Sequence, residues 1–189
     1  FSKSIRRRAA TIGGHNMDDY PLKMHVFNRA RLIKNSKNRI PYGVDLIQKY
    51  KRESWIVFTE NKKQAKEFNK IINTKGFKSA LYNTDLDSTE RLENLNKFKK
   101  ADLNVLVTCT ALDEGFDMPE ADGALILSAS SSKRQRVQRM GRVLRITENK
   151  PNALIVTVYS SKTEFDKLME EAKRYHKEGV PVSWKRQDR

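Results

Sequence analysis

From Trp55 onward, short apolar runs alternate with amphipathic stretches, and this rhythm constrains the fold more than any other feature of the chain. Trp55–Thr59 (WIVFT) reads as a buried strand. Asn61 then caps a helix carrying Ala65, Phe68, Ile71 and Ile72 on one side, and Gly76 ends it. Ser79–Tyr82 is a second strand, and Asp87 with Glu90 forms a capping box for a helix bearing Leu92, Leu95 and Phe98. Asn104–Thr108, Gly123–Ser128 and Ala153–Tyr159 supply three more strands. Ser161 and Glu164 open a last helix with Phe165, Leu168, Met169, Ala172 and Tyr175. Strands this apolar need cover on both faces, which predicts an α/β fold with a mostly parallel sheet of five to six strands flanked by helices. Ligands of such sheets bind at loops beyond the strand carboxyl ends.

Residues 1–52 have a different character and are expected to be a basic, mainly helical N-terminal segment or linker. Pro21–Asn35 is the best helix candidate there, with Leu22, Val26, Ala30 and Ile33 as its apolar side. Ser36–Gly43 reads as a turn before a short helix around Val44–Tyr50. The α/β domain is expected over 53–178, with 179–189 as a C-terminal extension.

The net charge of +15 points to a polyanionic partner, most simply nucleic acid. Residues 1–52 hold 13 Lys/Arg against 3 Asp/Glu, so ten of those fifteen charges lie there. Cys109 is the only cysteine, which excludes an intramolecular disulfide and a cysteine-rich zinc site. His15, His25 and His176 are scattered, and no metal site is predicted. The apolar runs are too short to span a membrane as helices, and no strongly apolar basic helix favours a membrane surface. An intracellular protein, monomeric and without a membrane partner, is expected. The chain opens on Phe1 and is expected to be a piece of a longer protein.

The segment Gln138–Arg145 (QRMGRVLR) carries the sharpest chemistry. On a helix, Gln138, Arg142 and Arg145 fall within about 60° of one another, while Val137, Met140 and Leu144 face elsewhere. Gly141 lets another surface come close. Two guanidinium groups and one amide suit a transferring phosphoryl group, whose charge is spread over several oxygens. The plainer alternative is a basic amphipathic helix lying on nucleic acid.

Upstream runs Val105-Leu-Val-Thr-Cys-Thr-Ala-Leu-Asp-Glu-Gly-Phe-Asp-Met-Pro-Glu-Ala-Asp122. This stretch, followed by the glutamine–arginine helix, resembles motifs V and VI of superfamily-two helicases. Trp55–Asn61 fits the motif IV strand and loop. The resemblance covers residues 28–178 and is nearest the XPB-like and restriction-enzyme branch. It implies the second of two RecA-like domains, with ATP and Mg2+ bound mainly by a first domain. That domain's phosphate-binding G-x-x-x-x-G-K-[ST] is not in this chain, nor is an Asp-Glu-x-His or Asp-Glu-Ala-Asp tetrapeptide. The chain is therefore expected to be silent in catalysis by itself.

The resemblance assigns roles to residues. Arg142 and Arg145 are the implied arginine fingers, and Gln138 positions the attacking water or senses the γ-phosphate. Arg139 is implied in interdomain or structural ion pairs. Gly115 and Asp117 match motif V, near the nucleotide, with a loop cap as the alternative for Asp117. Glu114 could pair with a motif VI arginine or be a surface carboxylate. For nucleic acid the candidates are Thr59, Asn61, Thr84, Arg91 and Thr110, with ordinary capping as the alternative for each. Cys109 stands where most relatives carry threonine and is read as a small buried residue.

The expected function is the second motor domain of a helicase or translocase acting on DNA, with RNA as the other substrate. Its implied partner within the protein is an N-terminal RecA-like domain. Rival readings are a nucleic-acid-binding module without ATPase activity and a translocase subunit of a restriction or nuclease system. A chromatin-remodeller type fits less well, because Ile146-Thr-Glu follows the arginines where Ile-Gly-Gln is usual.

Overall fold

A computed structural model describes residues 24–25, 28–29, 32–33, 35–109, 120–127 and 153–185. The chain divides into two compact units, Phe1–Ile33 and Lys34–Arg189. In the first, the described residues are all helical, in accord with the helix expected over Pro21–Asn35. Of its expected apolar side only Ile33 is described, and it is half-buried.

The second unit runs α1 (Arg39–Tyr50), β1 (Trp55–Phe58), α2 (Lys62–Thr74), β2 (Ser79–Tyr82), α3 (Ser88–Lys99), β3 (Val105–Thr108), β4 (Gly123–Ile126), β5 (Leu154–Thr157) and α4 (Lys162–Lys177). The five strands form one sheet in the order β2-β3-β1-β4-β5. Every pairing is parallel, with Trp55 in register with Val105 and Gly123. This is the α/β architecture the apolar rhythm predicts. The three central strands are buried at every residue, whereas β2 and β5, the outer strands among the described residues, are half-buried throughout.

Alternation along the strands sorts the core into two layers. Trp55, Val57, Val105, Val107, Leu125 and Leu127 meet Ile40, Val44 and Ile47 of α1 and Phe68 and Ile72 of α2. Ile56, Phe58, Leu106, Ala124 and Ile126 meet Leu95 and Phe98 of α3 on the other face. Leu92, expected on the buried side of α3, is instead 58% exposed. On the helix it lies about 120° from Phe98, beyond the edge of the stripe that reaches the sheet.

The predicted caps are present. Asn61, Asp87 and Ser161 each accept a hydrogen bond from the backbone N–H three residues on. Gly76, just past α2, takes a left-handed φ of 86° that favours glycine.

Two expectations need correction. Ser36–Gly43 is not one turn: α1 begins at Arg39, with Pro41 in the first turn, where its missing N–H breaks no helical bond. Gly43 lies inside α1, and a Cβ there would meet Leu127 Cδ2 at 2.5 Å and Phe68 Cε2 at 3.2 Å. Glycine is therefore at this position to let the helix lie against its neighbours. The boundary placed at residue 52 also falls inside the compact unit, because α1 contributes Ile40, Val44, Leu46 and Ile47 to the core.

Burying α1 also buries Arg39, whose side chain is only 1% exposed. Its Nη1 donates to the carbonyls of Leu127 (2.7 Å) and Val158 (2.8 Å). Its Nη2 donates to Ser160 Oγ (2.7 Å) and to both Glu164 carboxylate oxygens (2.7 and 2.6 Å). Removing one partner from such a buried pair costs about 3–5 kcal/mol, because the other charge is left uncompensated. At the C-terminal end, Trp184 packs edge-on against Phe165 with ring centroids 5.2 Å apart. Residues 179–185 thus include a side chain packed on α4.

At Gly123 a Cβ would lie 2.6 Å from Cε3 of the fully buried Trp55 indole. A rigid ring between packed layers has nowhere to go. Gly123→Ala is expected to lower stability by about 1–3 kcal/mol, the usual cost of overpacking. The check is the midpoint of urea unfolding beside that of the unchanged protein.

Candidate functional site

Because every strand is parallel, all five carboxyl ends share one edge, where an open α/β sheet binds its ligands. At the centre of that edge the ends of β3, β1 and β4 are stitched together. Thr59 N–H donates to the Thr108 carbonyl (2.8 Å), and Leu127 N–H donates to the Phe58 carbonyl (3.0 Å). The chain leaves β3 after Cys109 and β4 after Leu127, on either side of Thr59. Thr110, Glu114, Gly115 and Asp117 follow the first departure, and Gln138, Arg139, Arg142 and Arg145 follow the second. These eight residues lie outside the described residues.

The described candidates fall into two groups. Thr59 is buried at 4% exposure, and its hydroxyl is directed at the carbonyls of Thr108 (3.1 Å) and Asn61 (3.2 Å). Asn61 Oδ1 accepts from Gln64 N–H (2.9 Å), while its Nδ2 donates to Asn35 Oδ1 (2.6 Å). Gln64 Oε1 in turn accepts from Glu60 N–H (2.8 Å), completing a reciprocal cap. The Thr59 hydroxyl is turned into the fold, whereas the half-buried Asn61 caps α2 with its oxygen and reaches the exposed Asn35 with its nitrogen.

The end of β2 is different. Thr84 is exposed. Asn83 is 4% exposed; its Oδ1 accepts from Asp85 N–H (2.9 Å), while its Nδ2 is buried without a hydrogen-bond partner among the described residues. Arg91 Nε, one turn into α3, is likewise buried and unpartnered among them. Two buried donors without acceptors among the described residues thus belong to the residue before Thr84 and to the first turn of the helix that follows it. Sequence reasoning named Thr84 and Arg91 as candidates but gave no reading of Asn83, whose buried amide the structure reveals. Its signal was Asn83-Thr-Asp85 directly after a strand, a turn sequence in which Asn bonds the backbone two residues on.

The same corner holds a charge cluster that was not foreseen. Asp85 pairs with Lys62 at the start of α2 and with Lys66 (3.0 Å) one turn later. Foremost the Lys62 ammonium, and with it Lys66, holds the Asp85 carboxyl below the usual aspartate value of 3.8. Cys109 is buried. Among the described residues no group of three or more His, Cys, Asp or Glu could hold a metal.

With this geometry in view, the comparisons with known proteins are specific. The family described as "Helicase conserved C-terminal domain" matches residues 38–147, and the chain belongs to that family. A DNA 3'-5' translocase, XPB2 of Sulfurisphaera tokodaii, is 36% identical over 129 residues, covering 68% of this chain and 28% of the relative. The ATP-dependent RNA helicase DBP3 of Ajellomyces capsulatus is 28% identical over 166 residues, covering 84% and 32%. The chain thus spans about a third or less of these relatives. The solved C-terminal domain of the DEAD-box protein Dbp5 superposes with a TM-score of 0.66 at 21% identity, over 76% of this chain and 82% of that one. The fold is therefore that of the C-terminal RecA-like domain of superfamily-two helicases, as the motif V and VI resemblance implies.

Asp85 offers a direct check on the corner. A folded value below the unfolded one means that the ion pairs contribute above about pH 3.8 and are lost as pH falls through the lowered value. An NMR titration of the Asp85 carboxyl is expected to give a midpoint below 3.8, returning towards it in Lys62→Met, Lys66→Met.

Proposed function

We propose that this chain is the second motor domain of an ATP-dependent helicase or translocase acting on DNA. One observation carries the reading: the segments holding the motif V and motif VI residues set out from a single sheet edge, on either side of β1. Residues far apart in sequence can then serve one ligand at that edge. The 36% identity to a DNA translocase, against 28% to an RNA helicase, favours DNA over RNA. The strongly basic composition suits either polyanion.

The donor set fits part of a nucleotide site. The chain offers guanidinium and amide groups but no phosphate-cradling glycine loop. That suits the γ-phosphate side of ATP, with Mg2+ and most of the nucleotide held by a preceding RecA-like domain. Bound there, ATP supplies the cleavable phosphoanhydride and Mg2+ neutralises part of its charge. Arg142 and Arg145 stabilise charge on the transferring phosphoryl group, and Gln138 orients the attacking water. Gly115 and Asp117 approach the nucleotide from the motif V side, with Glu114 and Arg139 forming ion pairs that hold the closed arrangement. Nucleic acid is gripped along its backbone by Thr84, Arg91 and Thr110, to which Asn83 is added. Thr59 and Asn61 hold the edge in shape for them. An intracellular setting and a monomeric protein accompany this reading.

The test is DNA-stimulated ATP hydrolysis by the full-length protein. Arg142→Ala, Arg145→Ala is expected to lose about 10³–10⁵ in kcat, the usual worth of an arginine finger. The 189-residue chain alone is expected not to hydrolyse ATP. A double variant that hydrolyses at the unchanged rate would leave a nucleic-acid-binding module as the better reading. Arg91→Ala is expected to weaken single-stranded DNA binding and to reduce the salt dependence by about 0.7 in log–log slope, one phosphate contact.

A further inference from the structure

Arg39 is more than a buried charge that has found a partner. Five of its hydrogen bonds, all among the described residues, join four separate pieces of chain: the start of α1, the ends of β4 and β5, and the first turn of α4. Leu127 and Val158 come directly after Ile126 and Thr157, the last paired residues of β4 and β5. One guanidinium nitrogen thus ties the two adjacent strand ends together, while the other is held by Glu164. Glu164 is itself anchored, since its Oε2 accepts from Ser160 N–H (2.8 Å). The rest of α1 does not need this clamp to dock, because Ile40, Val44 and Ile47 already seat it on the core. Leu127, the residue from which the chain departs towards Gln138–Arg145, is held on its N–H side by Phe58, and the clamp adds the hold on its carbonyl.

Resting on the function proposed above, we propose that Arg39 is a positioning residue for ATP hydrolysis. With Glu164 it fixes the carboxyl ends of β4 and β5, and so the point and direction from which the arginine-finger segment sets out. The chemistry requires arginine. A guanidinium presents donors along two edges of a rigid plane, so Nη1 can serve two carbonyls while Nη2 serves the carboxylate. A lysine ammonium keeps the charge opposite Glu164, but its single nitrogen cannot reach both strand ends and the carboxylate in that geometry. Small displacements suffice for a large effect, because a misplacement of about 1 Å far from the reacting atoms can cost about a hundredfold in rate.

The experiment uses the full-length protein and measures DNA-stimulated ATP hydrolysis well below the unfolding midpoint of each variant. Arg39→Lys is expected to lower kcat about 10- to 100-fold, with KM for ATP and affinity for single-stranded DNA nearly unchanged. Glu164→Gln, which loosens the same fork from the other side, is expected to lower kcat in the same direction and serves if Arg39→Lys does not fold. Adding Arg39→Lys to Arg142→Ala, Arg145→Ala is expected to cost little more, since the two changes act on one element. A lowered unfolding midpoint with unchanged kcat would make the clamp purely structural and overturn the proposal. The same fold-loss with and without the finger arginines would also overturn it, because Arg39 would then act elsewhere. If the finger variant itself hydrolyses normally, the finger reading fails and this inference falls with it. If the finger variant is slow and both clamp variants are not, this inference alone falls.

Discussion

Three adjacent strands with no face left for water set the terms for everything else in this domain. β3, β1 and β4 are buried at every residue, so both faces of the sheet must be covered along their full length. Parallel pairing follows naturally, since each crossover carries chain over a face that needs cover. From parallel pairing comes a single carboxyl edge. That the chain leaves both β3 and β4 at one edge is thus a by-product of solving a burial problem.

The cover is tight enough to dictate residues that have no chemistry of their own. Gly43 and Gly123 are glycines because Leu127 and Trp55 occupy the space a Cβ would need. Arg39 is the opposite case, a charged residue drawn into the interior by the helix that carries it. Its burial is tolerable because two strand-end carbonyls, a hydroxyl and a carboxylate accept hydrogen bonds from both terminal guanidinium nitrogens. The same bonds that make the charge tolerable also tie the sheet edge to α1 and α4. Stability and placement of the edge are here one interaction.

The described part of the edge divides the same way. Around β1, the Thr59 hydroxyl is turned inward to finish the strand, and Asn61 spends its side chain capping α2 and bonding Asn35. Around β2, Asn83 and Arg91 keep buried donors without acceptors among the described residues, and Lys62, Lys66 and Asp85 form a charge cluster beside them. A nucleic-acid backbone needs donors and positive charge at sites that can exchange one anion for another. The β2 corner carries buried donors and a charge cluster where the β1 corner carries caps, although both read alike as Thr/Asn-rich loop starts in the sequence.

Residue order alone determined the five described strands, the helices α2, α3 and α4, and the caps of those three helices. Asn61, Asp87 and Ser161 cap through bonds to residues three positions on, so the information lies within one turn. The parallel class followed from strand composition, and the family followed from motif spacing. Only the tertiary structure decided that α1 begins at Arg39, that Leu92 faces outward, that Thr59 turns inward and that Arg39 is buried against Glu164, 125 residues away. Each depends on which distant segment arrives to cover a given face. A cap is settled by its own turn of chain, whereas burial and the partners of a buried charge are settled by neighbours that no local pattern names.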